Sequence, residues 1–100
     1  MEKDLEKRVV KDLKSIGCKV AKFIDQSEKG APDRLTTTKH GITIYIELKS
    51  KNGIISIHQK KYQKKLKKRK SIVYNVWTLE QWVNLFPIIK DINENLKMKP

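Results

Sequence analysis

Cysteine is almost missing from this chain: Cys18 is the one thiol in 100 residues. A single cysteine excludes an internal disulfide framework and a cysteine-rich zinc cluster, and it suits a reducing, intracellular compartment. Proline and glycine are scarce as well, at 3 and 4 residues. No Pro- or Gly-rich linker and no internal repeat divides the chain. The expectation is one domain over 1–100, with a modest core over about 3–92 and a frayed tail over 93–100. Long apolar runs are also lacking, since none approaches the roughly 20 residues of a membrane span. The opening Met1-Glu2-Lys3-Asp4 is charged where a secretory signal would be apolar.

Acid is the last shortage. Asp and Glu total 11 against 23 Lys and Arg, a net charge of +12. The excess is uneven: Lys60, Lys61, Lys64, Lys65, Lys67, Lys68, Arg69 and Lys70 cluster with no acid among them. A polyanion is the natural partner of such a surface, and nucleic acid is the first candidate. A solvated Lys-rich helix is the plainer alternative. The helix lacks the broad apolar face that anionic lipid would need. Hydrophobic residues make up 38% of the chain, enough for a globular fold.

Residues 3–16 carry Leu5, Val9, Leu13 and Ile16 on one helical stripe, with Gly17 placed to end the helix. Residues 18–24 and 33–38 read as short strands, separated by a loop rich in Asp, Ser, Gly and Pro. Lys39-His40-Gly41 marks a hairpin turn into residues 42–49. There Ile42, Ile44, Ile46 and Leu48 alternate with Thr43, Tyr45, Glu47 and Lys49. Ser56 opens a second helix to about position 68. A fourth strand over 71–77 and a helix capped by Thr78 follow, with Pro87 placed to kink or interrupt that helix. The order αβββαβα predicts an α/β fold: a small mixed β-sheet flanked by helices, its last two strands parallel through a right-handed crossover.

Three charged residues stand out against this pattern. Asp33 follows the turn Gly30-Ala31-Pro32, and Glu47 and Lys49 share one face of an apolar strand. Charge on such a strand is costly unless it is paired or bound. Asp33 begins one strand of a hairpin and Glu47 ends the other, so their carboxylates can meet at one end of the sheet. With the Leu48 carbonyl and water they would make an oxygen-rich site suited to Mg²⁺ or Mn²⁺. Lys49 would orient a water or steady developing negative charge. The plain alternative is an ordinary Glu/Lys pair on a solvent-facing strand.

Other residues divide between two readings. Glu6 lies inside the apolar arc of the first helix, so it is either a further ligand or an acid reaching solvent at the stripe's edge. Gln59 fits the S-x-x-Q capping box of Ser56-Ile57-His58-Gln59, yet it also shares a face with Tyr62 and Leu66 that turns toward the sheet. Lys22, Arg34, Lys51, Lys60, Lys61, Lys64, Lys65 and Lys68 are candidate phosphate contacts. His40 and His58 read as turn and helix-start residues, and Tyr62, Trp77 and Trp82 as core.

Taken together these motifs resemble the VRR-NUC domain, a branch of the PD-(D/E)XK nuclease superfamily. The match runs over about 5–82. It rests on Leu5-Glu6, Lys22-Phe23, Gly30-Ala31-Pro32-Asp33-Arg34-Leu35, Tyr45-Ile46-Glu47-Leu48-Lys49 and Ser56 with Gln59. Ala31 departs mildly from the family's G-V-P-D-R. The resemblance implies a restriction-endonuclease-like core and a Mg²⁺- or Mn²⁺-dependent endodeoxyribonuclease. It implies Asp33 and Glu47 as metal ligands, Lys49 as the catalytic lysine, and Glu6 and Gln59 in support. Short stand-alone members resemble structure-selective enzymes of phages and bacteria that form homodimers and cut branched DNA such as four-way junctions. A cytoplasmic location, no membrane and no small-molecule cofactor are expected. The competing expectations are a non-catalytic nucleic-acid-binding protein on the same scaffold, or a structural subunit whose basic helix docks an acidic partner.

Overall fold

In α1 (Glu2–Ser15) the apolar side chains Leu5, Val9 and Leu13 recur at helical spacing, and all are buried. The computed structural model describes residues 2–97 of the chain. Gly17 ends the helix at φ +90°, a conformation that costs glycine little. There the Cys18 N–H reaches back to the Leu13 carbonyl at 3.1 Å. After α1 come β1 (Lys19–Lys22), β2 (Arg34–Thr37), β3 (Thr43–Leu48), α2 (Ile57–Lys68), β4 (Ile72–Val76) and α3 (Leu79–Asn95). The order is the expected αβββαβα, and each element is within a few residues of its expected bounds.

The sheet runs β1-β2-β3-β4 in space. The first two pairings are antiparallel and the third, across α2, is parallel. The alternation in β3 divides the molecule into layers. Ile44, Ile46 and Leu48 are buried together with Val76 and with Trp82 and Ile89 of α3, which places α1 and α3 on one face. Burying each large aliphatic here contributes about 1.5–3 kcal/mol. The Trp82 indole N–H donates to Asp12 at 2.8 Å, joining the two helices.

The other face carries α2. Phe23 meets Tyr45 and Tyr62 edge-on, with ring centroids 5.6 and 6.3 Å apart. Tyr45 belongs to β3 and Tyr62 to α2, so this aromatic contact seats the helix on the sheet. Tyr62 and Trp82 are core residues as expected. Trp77 is half-buried and donates its indole N–H to the Gly53 carbonyl at 2.7 Å, tying the turn after β3 to the end of β4.

Pro87 does not interrupt α3, which continues through it to Asn95. Proline removes the N–H that would bond the Val83 carbonyl, and Val83 is 50% exposed, so that carbonyl lies on the solvent side. The helix extends past position 93. Asn93 is fully buried: its carboxamide accepts from the Lys39 N–H at 2.9 Å and donates to the Ile16 carbonyl at 2.8 Å. One side chain thereby ties α3 to the hairpin turn and to the end of α1. Positions 98–100 of the expected tail lie outside the described residues.

Candidate active site

The pairing of β2 with β3 sets Arg34 opposite Ile46. One step further along the same ladder sets Asp33 opposite Glu47. Three local features hold Asp33 there. The Phe23 N–H donates to its carbonyl at 2.9 Å, extending the contact with β1. Pro32 before it is buried. Gly30, at φ +94°, lies so close to the first turn of α2 that a Cβ would sit 2.3 Å from the His58 carbonyl oxygen. The G-x-P-D turn is therefore pressed against α2, and no other residue fits at position 30 without displacing one or the other. The Asp33 carboxylate then accepts from the Leu48 N–H at 2.8 Å through Oδ2.

Glu47 is only 2% exposed. Its Oε2 accepts from the Gln59 carboxamide nitrogen at 2.7 Å and lies 3.5 Å from the Lys49 ammonium. Its Oε1 is buried without any hydrogen-bond partner. Burial raises the Glu47 carboxyl to about 7; the nearby Asp33 charge adds to the rise and Lys49 opposes it.

Gln59 unites the two readings its position allows. Ser56 Oγ accepts from the Gln59 N–H at 3.1 Å and Gln59 Oε1 accepts from the Ser56 N–H at 2.9 Å, closing a reciprocal helix cap. That leaves the amide nitrogen for Glu47. The carboxylate requires a donor and the Ser56 N–H an acceptor, so the chemistry fixes which way the amide is turned.

The residues fit a hard divalent cation. A buried carboxylate oxygen with no donor is costly, and a cation facing it removes that cost. Asp33 is exposed, and its Oδ1 is not the oxygen that Leu48 occupies. Carboxylate oxygens at the end of a strand pair, with a backbone carbonyl and water, suit Mg²⁺ or Mn²⁺ rather than softer metals. Among the described residues no group of three or more acidic, His or Cys side chains comes together. Asp33 and Glu47 are the candidate acidic ligands of such a site, and the Leu48 carbonyl is a third candidate donor.

Glu6 does not join them. Its Oε2 takes both Nε and Nη2 of Arg34 at 3.0 Å, an ion pair across α1 and β2. Arg34 points to the opposite face from Asp33, as strand alternation requires, and the core-facing acid on α1 meets it there. Its guanidinium is engaged by this pairing. Lys22 is exposed at the end of β1, opposite Arg34, and Lys51 is exposed in the turn after β3. Lys60, Lys61, Lys64, Lys65 and Lys68 are all exposed along α2.

Sequence reasoning missed Gln63 and Asn75. Their amides exchange hydrogen bonds of 2.7 and 2.9 Å, and Asn75 stands opposite Glu47 in the β3–β4 ladder. The available signals were an Asn inside an apolar strand and a Gln one helical turn after Gln59.

No family model matches the sequence, and no curated protein matches it. Among solved structures, a chain described as a VRR_NUC domain superposes with a TM-score of 0.80 at 25% identity, over 86% of this chain and 94% of that one. The likeness drawn from the motifs therefore holds in three dimensions: the chain has the VRR-NUC fold, a nuclease-type domain.

Proposed function

We propose that this VRR-NUC-type chain is a divalent-metal-dependent endodeoxyribonuclease. The observation that carries the reading is the buried, unpartnered Glu47 Oε1 opposite Asp33, with Lys49 alongside. Asp33 and Glu47 would hold Mg²⁺ or Mn²⁺, with the Leu48 carbonyl as a candidate third donor. When bound, the ion polarises the phosphate and lowers the pKa of a bound water.

The remaining work falls to the chain's own groups. The Leu48 N–H fixes the Asp33 carboxylate, and Gln59 fixes that of Glu47, so both acids are oriented before substrate arrives. Lys49 holds a positive charge where the scissile phosphate gathers negative charge, and can hold the attacking water by a hydrogen bond. A subset of the α2 lysines supplies backbone contacts that do not depend on base sequence, which leaves selection to DNA shape. Branched duplex such as a four-way junction is the proposed substrate. A homodimer would bring two such sites to a roughly two-fold substrate.

The test is one gel series: plasmid and four-way-junction DNA incubated with Mg²⁺, Mn²⁺ or EDTA. Cleavage is expected with either metal and none with EDTA. Asp33→Ala and Lys49→Ala should abolish cutting, by about a hundredfold or more for the lysine, while both still bind DNA. Salt-sensitive binding without any metal-dependent nicking would identify a non-catalytic binding protein instead. Undiminished cutting by either variant would remove the site assignment.

A further inference from the structure

The exposed side of α2 is lined with lysine on both flanks, and sequence alone cannot separate them. The structure separates them by what each flank faces. On one flank, Lys65 lies 2.9 Å from Glu28. The concavity there, about 540 Å³, sets Lys65, Lys68 and Arg69 against the acids Asp25 and Glu28. A neighbouring hollow brings Lys29, Lys61 and Lys65 around the same acid, Glu28. Part of the positive field on this side is already neutralised.

The other flank overlooks β4, which forms one edge of the sheet. A groove of about 350 Å³ lies between them, lined by Ile55, Lys60, Gln63, Lys64, Lys67 and Asn75. It holds three cations and no acid. Its floor is the Gln63–Asn75 amide pair, and Asn75 stands opposite Glu47. The groove therefore begins on the strand beside Glu47 and follows the helix away from it. A rise of 1.5 Å per residue spreads Lys60, Lys64 and Lys67 over about 10 Å. That is the axial length of about three phosphates on one strand of a duplex. Ile55 adds an apolar wall against which a sugar or base can rest.

We infer that this groove between α2 and β4 is the track for one DNA strand, with Lys60, Lys64 and Lys67 on its phosphates, and that the flank bearing Lys61, Lys65 and Lys68 is not. The inference rests on the reading of Asp33 and Glu47 as a phosphodiester-cleaving pair. It adds Lys67, which is not among the candidate phosphate contacts named from the sequence, and it orients the strand relative to Glu47.

Two charge-matched variants test it: Lys60, Lys64 and Lys67 all changed to Gln, and Lys61, Lys65 and Lys68 all changed to Gln. Each full-length chain is titrated against fluorescein-labelled duplex and junction DNA in EDTA, over a salt series, with anisotropy as the readout. Thermal melts check that both variants fold, and the pair Lys64→Glu and Lys65→Glu repeats the comparison with single changes. The first triple variant should bind at least about tenfold more weakly, with a log–log salt slope lower by about three. The second should stay within about twofold of wild type, since its lysines make few phosphate contacts. Equal losses from the two flanks, or the larger loss from the second, would overturn the inference while leaving the active-site reading intact. Failure of the unaltered chain to bind DNA at all would overturn both.

Discussion

The Gln59 carboxamide nitrogen lies 2.7 Å from Glu47 Oε2, while its oxygen closes the cap of α2. A helix start and an acid of the candidate site are thereby fixed by one amide. Ser56→Ala and Gln59→Ala should separate the two roles. Each loses the cap, at a cost of about 1 kcal/mol. Only Gln59→Ala frees the Glu47 carboxylate, so it alone should lower metal affinity or cleavage by about 10–100-fold. Thermal melts and cleavage rates measured on both variants check this.

Glu47 makes stability depend on pH in an unusual direction. Its carboxyl titrates near 7 in the folded chain against an ordinary value of 4.5, so the folded state favours the protonated form. The contribution is fully present below 4.5 and lost as the pH rises through about 7. At about 1.4 kcal/mol per pH unit, the full effect is on the order of 3 kcal/mol. Asp25, lowered by its hydrogen bond from Ser27, and Glu94, lowered by Lys39, act in the opposite sense. Their window lies at and below the ordinary carboxylate values of 3.8 and 4.5, so the two effects do not overlap. Urea unfolding in EDTA should show the metal-free chain growing more stable as the pH falls from above 7 towards 5. Glu47→Gln, or saturating Mg²⁺, should flatten that slope.

Gly30→Ala should be damaging far beyond the loss of one hydrogen atom. The new methyl group would meet the His58 carbonyl at 2.3 Å, on a backbone at φ +94°. A destabilisation of about 2 kcal/mol or more is expected. Cleavage should fall too, because the same displacement moves Asp33 relative to α2. Full activity with an unchanged melting temperature would contradict the packing described here.

Glu6 and Arg34 form a partly exposed pair, with side chains 33% and 13% accessible. Glu6→Gln should therefore cost no more than about 1 kcal/mol. Mn²⁺ affinity, read by calorimetry, should be unchanged, because the carboxylate serves Arg34 rather than the metal. A large loss of affinity would return Glu6 to the ligand set.

Most of the architecture was legible because the patterns were local. The stripe of α1, the alternation of β3 and the Ser56-x-x-Gln59 cap each follow from periodicity or from one hydrogen-bond exchange. The facing of Asp33 and Glu47 was legible for the same reason, since a hairpin register links them. The rest depends on contacts distant in sequence. Nothing near Glu6 names Arg34, 28 positions away, as its partner. Gln63 with Asn75, and Asn93 with Lys39 and Ile16, are buried polar contacts that exist only once the layers are assembled. Continuity of α3 through Pro87 depends likewise on which side of the helix faces solvent.

The central claim concerns one cation and two acids. Crystals of the chain soaked in Mn²⁺ and measured at the manganese absorption edge should show an anomalous peak between the Asp33 and Glu47 carboxylates, within contact of Glu47 Oε1. Absence of that peak at saturating Mn²⁺, or a peak only at some other group of residues, would contradict the assignment.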